Sequence, residues 1–209
     1  MTITIWSDIR CPFCYIGKRK LENAISQFKH KDDVSIEWKS FELDPNLRTN
    51  PDISTIDYFV NKGANMDQMS QMLANSTAMA KEVGIDFNFK DAVVANSFNA
   101  HKLMHAAKNI NKQNEAKELL LKAHFTDGKN IDDMKVLVEI GESLGFEAED
   151  IEKQLNDSAL DKNVAEDQMQ AKEIGVTGVP FFVFNNKHAL SGAQPEEVFL
   201  EALENAYNE

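Results

Sequence analysis

The chain of 209 residues has only two cysteines, and they stand close together as Cys11 and Cys14. Without further thiols no disulfide framework can staple the fold, so stability must come from apolar burial, for which 43% hydrophobic content is ample. No apolar run is long enough to cross a bilayer, and Met1 leads straight into strand-like residues without a charged leader and apolar stretch. These absences set the expectation of a cytoplasmic protein with no membrane partner. Basic residues are scarce beside acidic ones: 22 Lys and Arg against 34 Asp and Glu leave a formal charge of −12. That balance, with acids dense between Asp127 and Asp167, opposes binding to phosphate backbones and sets nucleic acid aside as a partner. Low-complexity segments and repeats are lacking as well.

What is present is concentrated at the N-terminus. Thr2 to Trp6 alternates polar and apolar residues around β-branched Ile3 and Ile5, whereas Leu21, Ala24, Ile25 and Phe28 recur at helical spacing. The run Cys11-Pro12-Phe13-Cys14 therefore falls on the first turn of a helix, where thiols three residues apart share a face and can close a small disulfide loop. Pro12 suits that turn because its missing N–H has no partner there anyway. The positive end of the helix dipole favours an anion on Cys11, so Cys11 is expected to ionise more readily than a free thiol and to act as nucleophile, with Cys14 resolving the mixed disulfide.

Two other uses of the cysteines remain open at this level. His101 and His105, at helical i, i+4 spacing, could complete a zinc site, although the gap from Cys14 to His101 is far longer than a compact finger uses. A purely structural disulfide is the other, and it fits poorly in a reducing compartment. Redox chemistry with no bound metal is the expectation.

Val34 to Trp38 alternates like a second strand that continues through Phe41 and Leu43 until Asp44-Pro45-Asn46 breaks it, so the first segment reads as a right-handed βαβ unit with the thiols at its functional end. From about Pro51 to Gly175 successive helices are predicted, with Gly128, Gly141, Gly145 and Gly175 marking their expected ends or bends. They run along the stripe Met66, Met69, Leu73, Ala80 and Val83, then through Val93, Val94, Phe98, His101, Leu103 and His105, then over Glu115–Phe125, Asp132–Leu144, Glu149–Leu155 and Ala159–Ile174. The cluster Met66, Met69, Met72 and Met79 could form an adaptable groove, but ordinary core packing is the default, and a core or surface role is the default for each histidine. Gly175 to Phe184 is a glycine-punctuated loop entering a buried strand. Asn185-Asn186 turns into a short strand over His188–Ser191, and Pro195 opens a last amphipathic helix. At Val179-Pro180 the residues alone favour trans; a cis bond there would expose the Val179 backbone to an extended substrate.

Cys11-Pro12-Phe13-Cys14 after a first strand, Gly178-Val179-Pro180-Phe181-Phe182 before a late one, and a helical block between them resemble the DsbA-like branch of the thioredoxin superfamily. Phe41-Glu42-Leu43-Asp44-Pro45, Asn96-Ser97-Phe98-Asn99-Ala100-His101 and Ser191-Gly192-Ala193-Gln194-Pro195 are similar to its FrnE-type subgroup. The resemblance implies an α/β, thioredoxin-like fold with an all-helical insertion, divided as a βαβ half (1–46), a helical lid (47–175) and a ββα half (176–209). It also implies a cis Pro180 against the cysteine pair, a Val179 backbone that holds substrate, and Asn96 and His101 brought near substrate by the lid. Pro12, Phe13, Val179, Pro180, Asn96 and His101 are thus the expected substrate-binding residues. Thioredoxins carry a buried acid where this chain has Ile5; Asp8 lies closer to the thiols, with helix capping as its expected role.

The expected function is thiol–disulfide exchange with protein or low-molecular-weight thiols, using no cofactor beyond the Cys11-Cys14 couple itself, with glutathione as a candidate co-substrate. The same branch contains kappa-class glutathione transferases and 2-hydroxychromene-2-carboxylate isomerases, which carry a serine at the helix start; that chemistry is the alternative enzyme. A redox-sensing, chaperone-like binding protein is the alternative outside enzymology.

Overall fold

A computed structural model gives the structure of the protein and describes residues 1–208. Strand β1 (Thr2–Ser7) lies inside a four-stranded sheet of order β2-β1-β3-β4, and every residue after Thr2 in it is buried. Helix α1 (Pro12–Gln27) crosses over to β2 (Ser35–Ser40), which pairs parallel with β1. β3 (Phe181–Phe184) runs antiparallel to β1, and β4 (His188–Ser191) antiparallel to β3. The β3–β4 hairpin turns at Asn185 and Asn186, both at positive φ (49° and 57°), a conformation that asparagine tolerates better than most residues. Helix α9 (Glu196–Asn208) follows Pro195.

Between β2 and β3 the chain forms α2 (Thr55–Asn61), α3 (Met66–Glu82), α4 (Phe98–Lys108), α5 (Gln113–Phe125), α6 (Met134–Leu144), α7 (Ala148–Leu155) and α8 (Ser158–Glu173). These helices share a core with the sheet and α9: Ile3, Ile5 and Phe182 of the sheet and Phe199 of α9 belong to the same buried cluster as Leu103, Leu120, Leu137 and Ile151. On the other face of β1, Trp6 packs with Ala171 of α8 and Val176, and its indole N–H donates to the Asp167 carbonyl (3.0 Å). Edge strand β2 is covered by α5: the Gln113 side chain accepts from the Trp38 N–H (3.0 Å) and donates to the Trp38 carbonyl (2.9 Å), as a neighbouring strand would.

Three expectations require correction. β2 ends at Ser40 rather than near Leu43, because the Leu43 N–H is taken by the Asp8 carboxylate (2.8 Å) and not by a strand. Val93 and Val94 are not helical. The Val94 carbonyl accepts from the Asn50 N–H (2.8 Å) in an isolated bridge, and α4 begins only at Phe98, whose N–H donates to the Asn96 side chain (2.7 Å). Gly141 is no helix end. It lies inside α6, where a Cβ would stand 2.9 Å from Ile151, so it permits the close crossing of α6 and α7.

Candidate active site

Cys11 is the N-cap residue of α1, Pro12 its first residue, and the Cys14 N–H donates to the Cys11 carbonyl (3.0 Å). The helix start therefore arises from the local sequence, as the proline and the unpaired first-turn N–H groups require. Both sulfurs are buried, Cys11 at 4% exposure and Cys14 at 0%, but only Cys11 lines a cavity. The Cys11 thiol donates to the Val179 carbonyl across 3.5 Å, and the Val179–Pro180 peptide is cis. Gly17 lets α1 approach this loop: a Cβ there would lie 3.1 Å from Pro180 and 3.2 Å from Phe182. The Pro180 carbonyl is held from behind by the Gly192 N–H (2.8 Å).

The cavity has a volume of about 290 Å³. One wall is Arg10, Cys11, Pro12, Phe13, Gly178 and Val179; the other, from α2, α3, α5 and the loop before α4, includes Tyr58, Met72, Leu73, Phe89, Val93 and His124. The segment Leu43-Asp44 builds its rim. Leu43 is 51% exposed there, and Asp44 accepts the Tyr58 hydroxyl (2.6 Å), which positions the ring that the Arg10 guanidinium covers at 5.2 Å. Of the methionines, Met72 alone lines the cavity; Met66 is exposed and Met79 packs against the core.

Asp8 does not cap α1. Fully buried, it accepts the Arg10 N–H (3.1 Å) and the Leu43 N–H (2.8 Å), lashing the loop that carries the thiols to the rim of the cavity. Burial raises its pKa, but the His101 imidazole at 3.5 Å and the Leu43 N–H outweigh burial and hold the carboxyl well below the usual range. His101 is fully buried behind Asp8 and does not reach the cavity. Asn96 does not line the cavity either: its side chain donates to the Leu47 carbonyl (2.9 Å) and accepts from Phe98, joining two loops. The structure thus assembles Cys11, Pro12, Phe13 and Val179 at the cavity, sets Pro180 and Cys14 directly behind them, and assigns Asn96 and His101 to the frame. His105 is turned elsewhere, to Asp167 (3.1 Å) and Ser40 (3.1 Å), so the two histidines do not converge on the thiols. Among the described residues no cluster of three or more His, Cys, Asp or Glu is arranged to hold a metal.

Sequence reasoning missed Lys117 and His124. Lys117 Nζ is fully buried with no hydrogen-bond partner among the described residues and lies 5.3 Å over the Trp38 ring. Burial pushes its pKa down to about 8, against the pull of the nearby Cys14 and Asp8. It reaches this depth because its neighbour Glu118 docks α5 on α1, accepting from Lys18 (2.6 Å), Arg19 (2.6 Å) and Tyr15 (2.8 Å). Gln113, Lys117, Leu121 and His124 recur on the buried face of α5, and that spacing was the available signal.

The two thiols titrate as a pair. Burial raises Cys14, but the Cys11 hydrogen bond, the Lys117 charge and the Ser7 hydroxyl together bring it below its ordinary value. The neighbouring Cys14 and then burial raise Cys11. The dithiol thus carries its first negative charge as a unit, favoured by the nearby Lys117 and by the helix start. The Cys14 sulfur beside Cys11 is available to it as a proton acceptor.

The chain is similar to the uncharacterized protein YwbO of Bacillus subtilis (strain 168), with 30% identity over 211 residues that cover 96% of this chain and 94% of YwbO. Its structure is similar to that of a probable DsbA oxidoreductase, SCO1869, from Streptomyces coelicolor: 34% identity, a TM-score of 0.91, and coverage of 100% of this chain and 91% of the other. The cytosolic disulfide reductase DsbM from Pseudomonas aeruginosa, solved with GSH, shares the fold at 18% identity with a TM-score of 0.71, covering 100% of both chains. The family model for the DSBA-like thioredoxin domain matches residues 2–204, and the chain, a mixed α/β fold with its helices inserted between the two halves of the sheet, belongs to that family.

Proposed function

We propose that the protein is a thiol–disulfide oxidoreductase working through the Cys11-Cys14 couple. The observation that carries this reading is the division of labour between the sulfurs: Cys11 opens on a cavity, while Cys14 is sealed behind it beside a buried cation. In the reducing direction the Cys11 sulfur attacks a substrate disulfide as its proton passes to Cys14; one substrate sulfur departs as thiolate and a mixed disulfide forms on Cys11. Cys14 then passes its proton to the departed thiolate through water and attacks Cys11, the mixed disulfide breaking with its electron pair on the second substrate sulfur, which leaves as thiolate, and the Cys11-Cys14 disulfide remains. Lys117 compensates the charge that Cys14 carries before and during that step.

The partners in this reading are protein or low-molecular-weight thiols and disulfides, and the GSH in the DsbM structure supports glutathione as a reductant that restores the dithiol. A cytoplasmic setting is part of the proposal, supported by the lack of any cysteine outside the couple. Among the described residues no helix is long and apolar enough to cross a membrane. The test is equilibration in defined glutathione buffers with counting of free thiols. A reversible transition that loses both thiols together supports the proposal, and thiols that stay reduced across the whole range contradict it.

A further inference from the structure

The cavity beside Cys11 is apolar where a substrate would lie. Phe13, Phe59, Met72, Leu73, Phe89 and Val93 supply its walls, and among the described residues no carboxylate lines it. Its rim carries Leu43, a large apolar side chain left 51% exposed. The polar groups are few. Tyr58 commits its hydroxyl to Asp44, and Arg10 lies over the Tyr58 ring with no ion pair among the described residues. His124 is 6% exposed, and its Nδ1 is buried without a hydrogen-bond partner among the described residues. Burial and the nearby Arg10 push its pKa down to about 4, so the ring is neutral at physiological pH and offers hydrogen bonding without charge. An apolar enclosure with one or two converging polar groups is the usual form of a small-ligand site.

Glutathione matches this enclosure poorly, since Arg10 could pair with only one of its two carboxylates and the other, with the ammonium group, would have to be stripped of water against phenyl and methionine side chains. We propose that the cavity receives a hydrophobic substituent carried on the sulfur that Cys11 attacks, so that the preferred substrates are disulfides of apolar small thiols, aromatic or branched aliphatic, rather than glutathione disulfide. The proposal rests on the exchange reaction above and names its substrate class. In the exchange, Cys11 forms a disulfide with the sulfur bearing the apolar group R, and the old S–S bond breaks with its electron pair leaving on the other thiolate. Cys14 next forms its bond to Cys11 and R–S⁻ departs. Met72, flexible and polarisable, lets the wall adjust to different R groups.

Mixed disulfides of the form R–S–S–pyridyl test this, with R benzyl, 2-hydroxyethyl or glutathionyl. All three release the same thiopyridone, so the leaving group is constant and differences report R. Each rate is divided by the rate of the same reagent with N-acetylcysteine. The expected result is a benzyl reagent favoured over the other two by about tenfold or more, as burial of a phenyl group at about 25 cal/mol per Å² allows. That preference should collapse in Ala92→Phe, which fills the cavity, with the reduction potential of the couple unchanged. Thr55→Trp, at the partly exposed start of α2, covers the case in which the buried Ala92 position does not tolerate a ring. Equal normalised rates for all three reagents, a glutathionyl preference, or a benzyl preference that survives in folded Ala92→Phe and Thr55→Trp would overturn the substrate class while leaving the exchange reaction standing. No Cys11-dependent release from any reagent would overturn both.

Discussion

Lys117→Met separates the needs of the fold from the needs of the thiol pair. The ammonium is fully buried, lacks a hydrogen-bond partner among the described residues, and has its pKa lowered from 10.5 to about 8. A lysine whose folded pKa is depressed binds its proton more weakly in the native state than in the unfolded chain. Stability therefore rises as pH climbs from about 8 to about 10.5, and below that window the charge costs about 3 kcal/mol, at about 1.4 kcal/mol per pH unit. Methionine fills a similar volume without the charge. Against that gain stands the loss of the cation–π contact with Trp38, about 1 kcal/mol. Lys117→Met is thus expected to stabilise the reduced protein by about 2 kcal/mol at pH 7 and to lose the rise in stability toward pH 10. The reduced couple loses its counter-charge at the same time, so its reduction potential should fall, by about 30 mV for each pH unit that the first thiol pKa rises. Urea unfolding of the reduced protein at pH 7 and pH 10, with redox equilibration in glutathione buffers, reads both effects. A variant that is less stable at pH 7, with an unchanged pH slope and an unchanged potential, would refute the reasoning.

The remaining predictions concern the frame of the site. His124, neutral in the fold because its pKa is lowered from 6.5 to about 4, makes stability fall as pH drops through that window, by about 2 kcal/mol at pH 5; His124→Gln should flatten the acid limb of a urea-midpoint profile between pH 6.5 and 4. Asp8→Asn leaves one acceptor oxygen where two N–H groups now bind, so thermal or urea melts should show a loss of about 1–3 kcal/mol, with faster amide exchange at Leu43 or Arg10. Gly17→Ala drives a methyl to 3.1 Å from Pro180 and 3.2 Å from Phe182, with an expected destabilisation of about 1–3 kcal/mol and slower exchange chemistry; a silent substitution would show that the loop is not seated by α1.

Much of the fold was legible because its elements carry their own period. Ile3 and Ile5 in β1, the repeating apolar residues of α1, and the Asn185-Asn186 turn mark local structure that the tertiary fold did not override. Val93 and Val94 misled because two adjacent apolar residues fit a helix as well as an extended segment; the bridge to Asn50, distant in sequence, decides between them. The cysteine pair was equally plain, since Pro12 and the strand before it fix the start of α1. Its electrostatics were not. A helix dipole is a local property, whereas the cation beside Cys14 arrives on α5, and in sequence Lys117 reads as one more solvated lysine next to Glu118. The cavity was hidden for the same reason: its far wall is gathered from α2, α3, α5 and the loop before α4, and the rim residue Leu43 is set by a hydrogen bond to Asp8.

The central claim is that Cys11 makes the bond to substrate and Cys14 breaks it, and trapping tests this most directly. Cys14→Ser and Cys11→Ser variants are each incubated with a disulfide that the parent protein reduces, then analysed as intact proteins by mass spectrometry under non-reducing conditions. The account predicts a stable one-to-one adduct on Cys11 of the Cys14→Ser protein and little or none on Cys14 of the Cys11→Ser protein, because only Cys11 opens on the cavity. Equal labelling of both variants, or an adduct confined to Cys14, would contradict it.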